Sequence, residues 1–276
     1  MRGSRPVALL RASHFPPVVA VTAMATALAV AVDRGWGSVW VALAVLVGQL
    51  SVGWSNDYLD RERDRLAGRT DKPIVTGAVS ARAVGIGAVV AAAASVPLSF
   101  ASGWRAALVH LGAVGIAWAY NVRLKDSPLS PLPYAFAFGA LPIFVTLGLP
   151  GHPMPLGWGI AAAALLGTGA HFVNTLPDFA DDARTGIRGL PHRLGPRVSI
   201  LLAAVLMGTA ASMAGLAAPG SPDDATTALL AAALATIAGV VVAAAMGRAR
   251  LAWHLTLGAS LLSVALFLVQ GSALVS

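Results

Sequence analysis

A short stretch of this chain, WSNDYLDRERDRLAG at 54–68, places three oxygen-bearing side chains at intervals of four residues. They are Asn56, Asp60 and Asp64, and Asp57 lies next to the first of them. Residues four apart share one face of an α-helix, so the spacing predicts a single polar stripe about two turns long. Like charges at this spacing repel each other, so the stripe needs a cation beside it.

The same pattern returns in NTLPDFADDARTG at 174–186, where Asn174, Asp178 and Asp182 each lie 118 positions after their counterparts. A single pair of aspartates at this spacing is most simply a solvated helix end, but a second copy with the same asparagine makes that explanation much weaker. Carboxylate and amide oxygens are hard ligands that suit Mg²⁺, which proteins hold with a few carboxylates and substrate phosphates. Ca²⁺ is less favoured, because no loop has the ligand spacing and central glycine of an EF-hand.

Basic side chains follow both stripes. They are Arg65, Arg69 and Lys72 after the first, and Arg184, Arg188 and Arg193 after the second. Carboxylates, a divalent cation and guanidinium groups together indicate a site for a diphosphate. For any single arginine, a preference for basic residues on the inner side of a membrane is an equally good explanation.

The composition indicates a membrane protein. Of the 276 residues, 57% are hydrophobic and 11% are charged, whereas a soluble domain carries about 25% charged residues. A membrane-spanning helix needs about 20 apolar residues. We predict an all-α, polytopic bundle of nine such helices, forming one domain over 1–276. The predicted spans are 15–32, 37–57, 80–100, 104–121, 131–149, 156–176, 195–217, 225–246 and 252–274.

The distribution of basic residues predicts the orientation. With nine spans and a cytoplasmic N-terminus, the predicted outer loops hold only Arg34 and Arg105 of the 19 lysines and arginines. This asymmetry accounts for the net charge of +7, so nucleic-acid binding is not needed to explain it. The N-terminal segment is basic and lacks an A-x-A cleavage site, so we expect it to be retained. Both acidic stripes follow spans of the same parity and should face the cytoplasm.

The two acidic motifs resemble those of the UbiA superfamily of intramembrane prenyltransferases. The pattern Asn-Asp-x-x-Asp-x-x-x-Asp that begins at Asn56 resembles the first aspartate-rich motif of that superfamily. NTLPDFADDARTGIRGLPHRLG at 174–195 resembles the second, with Asp178, Asp182 and Gly186 in register. The resemblance covers nearly the whole chain.

Two further stretches extend the resemblance. TDKPIVTGAVS at 70–80 resembles the tail of the first motif, but Lys72 stands where Arg is usual, so a bidentate contact with a diphosphate becomes a point charge. AYNVRLKDSPLSPLPYA at 119–135 resembles the loop after the fourth helix of the family. In that stretch, the residues that match the pattern of the family are Tyr120, Asn121 and Lys125.

The resemblance implies a bundle of nine helices with a cavity open laterally to lipid, and two Mg²⁺ ions that bridge a prenyl diphosphate to both motifs. The metals would stabilise the departing diphosphate, and an acceptor would attack the allylic cation. The implied metal ligands are Asn56, Asp60, Asp64, Asn174, Asp178 and Asp182. The implied catalytic residues are the four aspartates of this set and Lys72.

The expected substrate-binding residues surround the same motifs. They are Asn56, Asp57, Arg69, Tyr120, Asn121, Lys125, His171, Asn174 and Arg188. His171 precedes Asn174 by three residues, so it should point into the same cavity, although a hydrogen bond between helices explains a polar ring in a membrane equally well.

The function that these expectations favour is transfer of an isoprenoid chain to an aromatic or other lipophilic acceptor, in the plasma membrane and with the site at the cytoplasmic side. A membrane terpene cyclase of the same superfamily, which needs no acceptor, stays open as an alternative. A transporter or scaffold is less favoured, because the acidic motifs lie near the inner surface rather than the midplane.

Overall fold

The computed structural model describes residues 5–179, 182, 186–220 and 222–275, and the described residues are helical with no strand among them. The α-helices are α1 (Arg5–Ala12), α2 (Phe15–Ala31), α3 (Gly37–Leu66), α4 (Ala81–Phe100), α5 (Trp104–Val122), α6 (Leu132–Leu147), α7 (Gly157–Thr175), α8 (Leu190–Leu194), α9 (Pro196–Leu216), α10 (Asp224–Ala245) and α11 (Ala249–Val269). Short 3-10 helices span Leu124–Asp126, Leu176–Asp178 and Gly271–Leu274.

Long helices occupy the stretches that the sequence predicts. In the described part of the chain, α3, α4, α9, α10 and α11 are long and apolar enough to cross a membrane. The pair α1 and α2, bent by 68° at the break between them, would make a sixth span. The fold is therefore an all-helical bundle with at least five candidate spans, and α3 continues beyond its predicted end at 57 to Leu66.

Neighbouring helices pack through small residues. The glycines of α4 let that helix approach α3, since a Cβ atom on Gly85 would lie 2.9 Å from the ring of Tyr58, and one on Gly87 would lie 3.3 Å from the ring of Trp54. In a membrane the lipid tails are as apolar as the helix surfaces, so helices associate through close packing of this kind. The main core lies between α2, α6, α7, α9 and α11 and includes Phe144, which is fully buried.

At the end of the bundle opposite the acidic motifs, two polar side chains cap the last turn of α6. Arg34, between α2 and α3, donates a hydrogen bond from its guanidinium to the Val145 carbonyl at 2.8 Å. His152 lies 2.7 Å from the Leu147 carbonyl. A cationic side chain suits the last carbonyls of a helix because they carry partial negative charge. Burial of the guanidinium lowers the pKa of Arg34. Arg34 and His152 thus bind carbonyl groups at the C-terminal end of α6.

Candidate active site

The first acidic motif lies in the last three turns of α3, which runs without interruption to Leu66. Asp57, Asp60 and Asp64 are buried, with 2%, 8% and 8% of their surfaces exposed. A continuous helix places Asp60 and Asp64 on one face, as the spacing predicts. Buried carboxylates need partners, because an unpaired charge in a low-dielectric surrounding is costly.

Two cations neutralise Asp60. The Lys125 ammonium contacts one of its carboxylate oxygens and the Arg63 guanidinium contacts the other. Lys125 reaches this position because α5 ends at Val122 and the 3-10 helix Leu124–Asp126 turns its buried side chain toward α3. Burial lowers the pKa of Lys125, and the Asp60 carboxylate opposes that shift by favouring the charged ammonium.

Asp57 has different partners. Its Oδ1 atom lies 2.7 Å from the Lys72 ammonium and 3.0 Å from Nε2 of His14, and these two nitrogens are 2.9 Å apart. Lys72 comes from the loop between α3 and α4, and His14 from the break between α1 and α2. His14 was not predicted from the sequence, because its partners lie 43 and 58 positions away and no local pattern marks it.

The two asparagines at this end of α3 and α5 bind each other. Asn56 donates from its amide to the side-chain oxygen of Asn121 at 3.2 Å. Asn121 donates in turn to the Val52 carbonyl at 2.9 Å and to the Ser55 hydroxyl at 2.8 Å. Asn121 therefore fastens α5 to α3, and its amide hydrogens are used in that contact.

The second motif is not one continuous α-helix. Helix α7 ends at Thr175, and the next residues form the 3-10 helix Leu176–Asp178. Pro177 causes the change, because proline lacks the N–H of an α-helical hydrogen bond and its ring clashes with the carbonyl four residues earlier. The regular stripe expected for Asn174, Asp178 and Asp182 is therefore interrupted at its first interval. The side chain of Asp178 lies outside the described residues.

Asp182 is held by a histidine. Its Oδ2 atom lies 3.0 Å from Nε2 of His192 in α8, and the His192 ring stacks on Phe179 with 4.7 Å between centroids. His192 is a second residue that the sequence analysis did not single out. Arg184, expected near this motif, lies outside the described residues, and Arg188 is exposed. The Arg193 side chain donates to the Arg188 carbonyl at 2.8 Å.

An aromatic cluster lies between the two motifs. Tyr120 meets Tyr134 edge to face with 5.3 Å between ring centroids, and the His171 ring lies 4.7 Å from Tyr134 and 5.8 Å from Tyr120. The Tyr134 hydroxyl lies near the side chains of Asn174 and Tyr120. His171 is buried, and its Nε2 is 3.0 Å from the Ser130 hydroxyl. Of the two roles expected for His171, the structure contains the hydrogen bond to a neighbouring element.

The cluster also joins the elements that carry the two motifs. Tyr120 lies next to Asn121, which binds Asn56 of the first motif, and its ring is 5.8 Å from that of His171, three residues before Asn174. The two motifs therefore lie at the same end of the bundle. Arg69 borders this end, where it binds Asp71 through two parallel hydrogen bonds of 2.9 and 3.0 Å.

The donor set suits a hard cation that also binds its substrate. Among the described residues, no three acidic or histidine side chains are grouped closely enough to hold an ion by themselves. Asn56, Asp60 and Asp64 nevertheless offer oxygen ligands on one face of α3. Mg²⁺ keeps several waters and is commonly bound by one or two carboxylates with substrate phosphates. These residues therefore fit an ion whose remaining ligands come from a diphosphate.

Comparison with known sequences gives a family match. A model of the UbiA prenyltransferase family matches residues 15–250. The chain is 33% identical over 210 residues to the bacteriochlorophyll synthase 33 kDa chain of Cereibacter sphaeroides, covering 71% of this chain and 68% of that one. It is 28% identical over 166 residues to digeranylgeranylglyceryl phosphate synthase of Pyrococcus horikoshii, covering 60% and 59%.

Solved structures share the fold. A UbiA homologue from Aeropyrum pernix, in its apo form, superposes with a TM-score of 0.72 at 22% identity, covering 90% of this chain and 97% of that one. A UbiA homologue from Archaeoglobus fulgidus bound to GPP and Mg²⁺ has a TM-score of 0.70 at 20% identity, covering 97% and 99%. The bundle described above is thus the architecture of these proteins.

Proposed function

Because the chain belongs to the UbiA prenyltransferase family, we propose that it transfers an isoprenoid chain from a prenyl diphosphate to an aromatic or other lipophilic acceptor within the membrane. The observation that carries the proposal is that both acidic motifs lie at one end of the bundle, joined by the rings of Tyr120, Tyr134 and His171. The ammonium groups of Lys125 and Lys72 lie beside the first motif, at the end of an apolar bundle. This combination suits a substrate with an anionic head and an apolar tail.

The two motifs would hold Mg²⁺ together with the diphosphate. The proposed ligands are Asn56, Asp60, Asp64, Asn174, Asp178 and Asp182. When bound, the metal supplies Lewis-acid stabilisation of the charge on the diphosphate oxygens. The relative from Archaeoglobus fulgidus, which was solved with GPP and Mg²⁺, supports this assignment through its shared fold.

The cations of the chain complete the site for the donor. Lys125 and Lys72 are paired with Asp60 and Asp57, and each would turn an N–H toward the diphosphate. Arg69 and Arg188 stand on the loops that follow the two motifs and would contact its outer oxygens. As the carbon–oxygen bond of the donor breaks, its electron pair leaves with the diphosphate, and these cations stabilise the charge that develops.

The aromatic cluster would face the other product of ionisation. The rings of Tyr120 and Tyr134 stand between the motifs, where an allylic cation would form, and π faces attract cations. The acceptor then donates an electron pair to the allylic carbon, and the proton that the acceptor loses would pass to the released diphosphate. His171 packs against Tyr134, Asn174 lies near the Tyr134 hydroxyl, and both would border the acceptor. The apolar bundle excludes water, which would otherwise consume the cation.

The relatives do not narrow the acceptor to one compound. Their names include a bacteriochlorophyll synthase, a digeranylgeranylglyceryl phosphate synthase and a protoheme IX farnesyltransferase. These names point to different molecules, namely bacteriochlorophyll, a glyceryl phosphate and protoheme IX. We therefore propose a lipophilic acceptor, whether aromatic or not.

The same proposal places the site at the cytoplasmic face of the plasma membrane, in a bundle with nine spans and a cytoplasmic N-terminus. The excess of Lys and Arg on one side supports this orientation. Reporter proteins fused after residues 70 and 188 should both read cytoplasmic, and a fusion at the C-terminus should read outside. Fusions at 70 and 188 that read opposite sides would exclude a site shared by the two motifs.

The experiment that tests the function uses membranes containing the full chain, Mg²⁺, labelled prenyl diphosphates of graded length and a panel of lipophilic and aromatic acceptors. We expect diphosphate release together with a prenylated acceptor. Release with a cyclised hydrocarbon in the absence of any acceptor would identify a terpene cyclase instead. If no prenyl diphosphate in the series releases diphosphate, the proposal of a prenyltransferase activity is wrong.

A further inference from the structure

We infer that His14 is a positioning residue of the active site, which holds the Asp57–Lys72 ion pair in place and thereby aims the Lys72 ammonium at the diphosphate. This inference rests on the proposed function, because it assigns Lys72 to the donor. It makes the corner between α1 and α2 part of the active site, although that corner lies outside both acidic motifs.

The three side chains form one compact contact. The Lys72 ammonium is 2.7 Å from Asp57 Oδ1 and 2.9 Å from His14 Nε2, and that ring nitrogen is 3.0 Å from the same carboxylate oxygen. The side chains of Asp57 and Lys72 are 1% and 12% exposed, whereas His14 is 41% exposed. The ring therefore covers a buried ion pair from the solvent side.

The chemistry of the ring nitrogen allows two arrangements, and both hold the pair. If Nε2 carries the proton, it donates to Asp57 and fixes the carboxylate that binds Lys72. If Nε2 is unprotonated, it accepts from the ammonium, which is a donor only. A lysine ammonium is a point charge on a flexible stem of four carbons, so its position must be imposed from outside. His14 and Asp57 together impose it.

The ammonium held in this way lies beside the first motif. Its partner Asp57 is on α3, one turn before Asp60 and two turns before Asp64, which are proposed metal ligands. An ammonium has three hydrogens, and the contacts with Asp57 and His14 use at most two of them. A third N–H of Lys72 is thus available to an oxygen of a bound diphosphate.

The backbone at His14 is itself held in place, and this fixes the position of the imidazole ring. His14 has a left-handed conformation, with φ 56° and ψ 51°, at the bend between α1 and α2. The corner lies directly on α3, since a Cβ atom on Gly53 would be 1.9 Å from the Ser13 carbonyl oxygen. The indole N–H of Trp54 donates to the Leu9 carbonyl at 2.9 Å and holds α1 against the same helix. These contacts therefore hold His14 in a backbone conformation that residues other than glycine seldom adopt.

The test compares two substitutions of similar size at one position. His14→Gln keeps a group that can donate or accept at the place of Nε2, whereas His14→Leu fills the space and can do neither. Steady-state kinetics of Mg²⁺-dependent diphosphate release from geranyl diphosphate are measured in membranes for both. We expect His14→Leu to lower kcat about tenfold with less than about a twofold change in KM, since the charge of Lys72 stays and only its position is lost. His14→Gln should retain activity within about threefold.

Two controls separate positioning from folding. His152 also has a left-handed backbone, with φ 53°, and its ring contacts a carbonyl at the opposite end of the bundle. His152→Leu should therefore leave kcat unchanged. In a Lys72→Ala background, His14→Leu should cause no further loss, because the two residues act through one contact.

The outcomes distinguish the inference from the function on which it rests. A wild-type chain that releases no diphosphate from any donor overturns both. A wild-type chain that is active, with His14→Leu as active as His14→Gln, overturns the role of His14 and leaves the proposed function intact. A tenfold loss from His14→Leu that persists in the Lys72→Ala background would also overturn it.

Discussion

The two acidic motifs have the same spacing in sequence, yet the chain builds them differently. The first lies on one uninterrupted helix, α3, whose last turn carries Arg63 and Arg65. The second begins on the last turn of α7 and crosses a 3-10 helix before it reaches Asp182. The difference originates at Pro177, because the equivalent position of the first motif is Leu59, a good helix former.

This comparison shows what an interval of four residues can and cannot predict. It predicts a common face where the helix is continuous, as for Asp60 and Asp64. It does not predict the geometry of Asn174 relative to Asp178, where the Leu176 N–H donates to the Val173 carbonyl three residues back. The first motif is therefore fixed by the helix itself, and the second depends on a turn and on the contact of Asp182 with His192.

The strongest test asks whether the two motifs form one site despite this difference. Replacing any one of Asp60, Asp64, Asp178 and Asp182 by alanine should lower the rate of diphosphate release on the order of 10²-fold or more. Chelation of Mg²⁺ should abolish turnover and Mg²⁺ should restore it. Expression of Asp64→Ala should be retained, because this substitution removes repulsion from the neighbouring aspartates. Asp60→Ala leaves the buried Lys125 ammonium without its carboxylate partner, so thermal unfolding of that variant is measured alongside its activity.

A double variant sharpens the same test. If the motifs share the donor, Asp60→Ala combined with Asp182→Ala should be no more than about tenfold slower than the slower single variant, because residues that act as a unit are not additive. Normal activity in two of the four single variants would contradict the assignment. Losses that multiply fully would mean that the motifs act independently.

Much of the fold could be predicted from the sequence, because apolar runs specify helices in a membrane directly. The boundaries were less predictable, since α3 continues to Leu66 although its apolar run ends near 57. The break at Pro177 could have been foreseen, because a proline inside a helical pattern ends or kinks it. A regular helix was expected there nevertheless, because the second motif has the same spacing as the first.

The partners of the motifs were harder to predict. Lys125 was expected because it lies in a matched stretch, and the structure places it on Asp60. His14 was not expected, because a lone histidine at the end of an N-terminal helix has no pattern of its own. Its role arises only when the corner at Ser13 packs on Gly53. Long-range contacts of this kind are set by packing, which local sequence does not encode.

The next prediction compares the cations of the two motifs. Lys125 is buried and contacts a motif carboxylate, whereas Arg188 is exposed on the second loop. Lys125→Ala should lower kcat/KM for the donor about tenfold to hundredfold, because a fixed charge in a buried site stabilises the departing diphosphate more than one in water does. Arg188→Ala should lower it about threefold or less. Steady-state kinetics of both variants decide, and equal losses would contradict the difference between the motifs.

A third prediction removes the cause of the difference. Pro177→Ala lets α7 continue by restoring an N–H at that position, and this should shift Asp178 relative to Asn174. We expect kcat to fall about tenfold with no loss of thermal stability, because small displacements of positioning groups are costly for catalysis. Pro97→Ala, which relieves an exposed proline inside α4, is the matched control and should leave kcat unchanged. Unchanged activity of Pro177→Ala would mean that the turn is not needed.

The smallest expected effect concerns the loops that follow the two motifs. In the first loop Arg69 binds the Asp71 carboxylate, and in the second Arg193 binds a backbone carbonyl, so only the first contact depends on pH. The Arg69 guanidinium holds the pKa of Asp71 below its usual value. Because folding lowers this pKa, the contact adds to the free energy of unfolding at pH values above the ordinary carboxyl pKa of 3.8. That contribution is lost as the pH falls through the lowered pKa. Because 57% of the Asp71 side chain is exposed, the contribution should stay below about 1 kcal/mol.

Asp71→Asn should therefore unfold at a slightly lower temperature than the wild type at neutral pH, and the difference should shrink as the pH is lowered through the range in which Asp71 becomes protonated. Arg193→Gln weakens the contact of the second loop, and the difference that it causes should stay constant over the same range. Thermal unfolding in detergent at graded pH measures both. A difference for Asp71→Asn that does not change with pH would show that the Arg69–Asp71 contact, like the contact of Arg193 with the Arg188 carbonyl, does not depend on a titrating group.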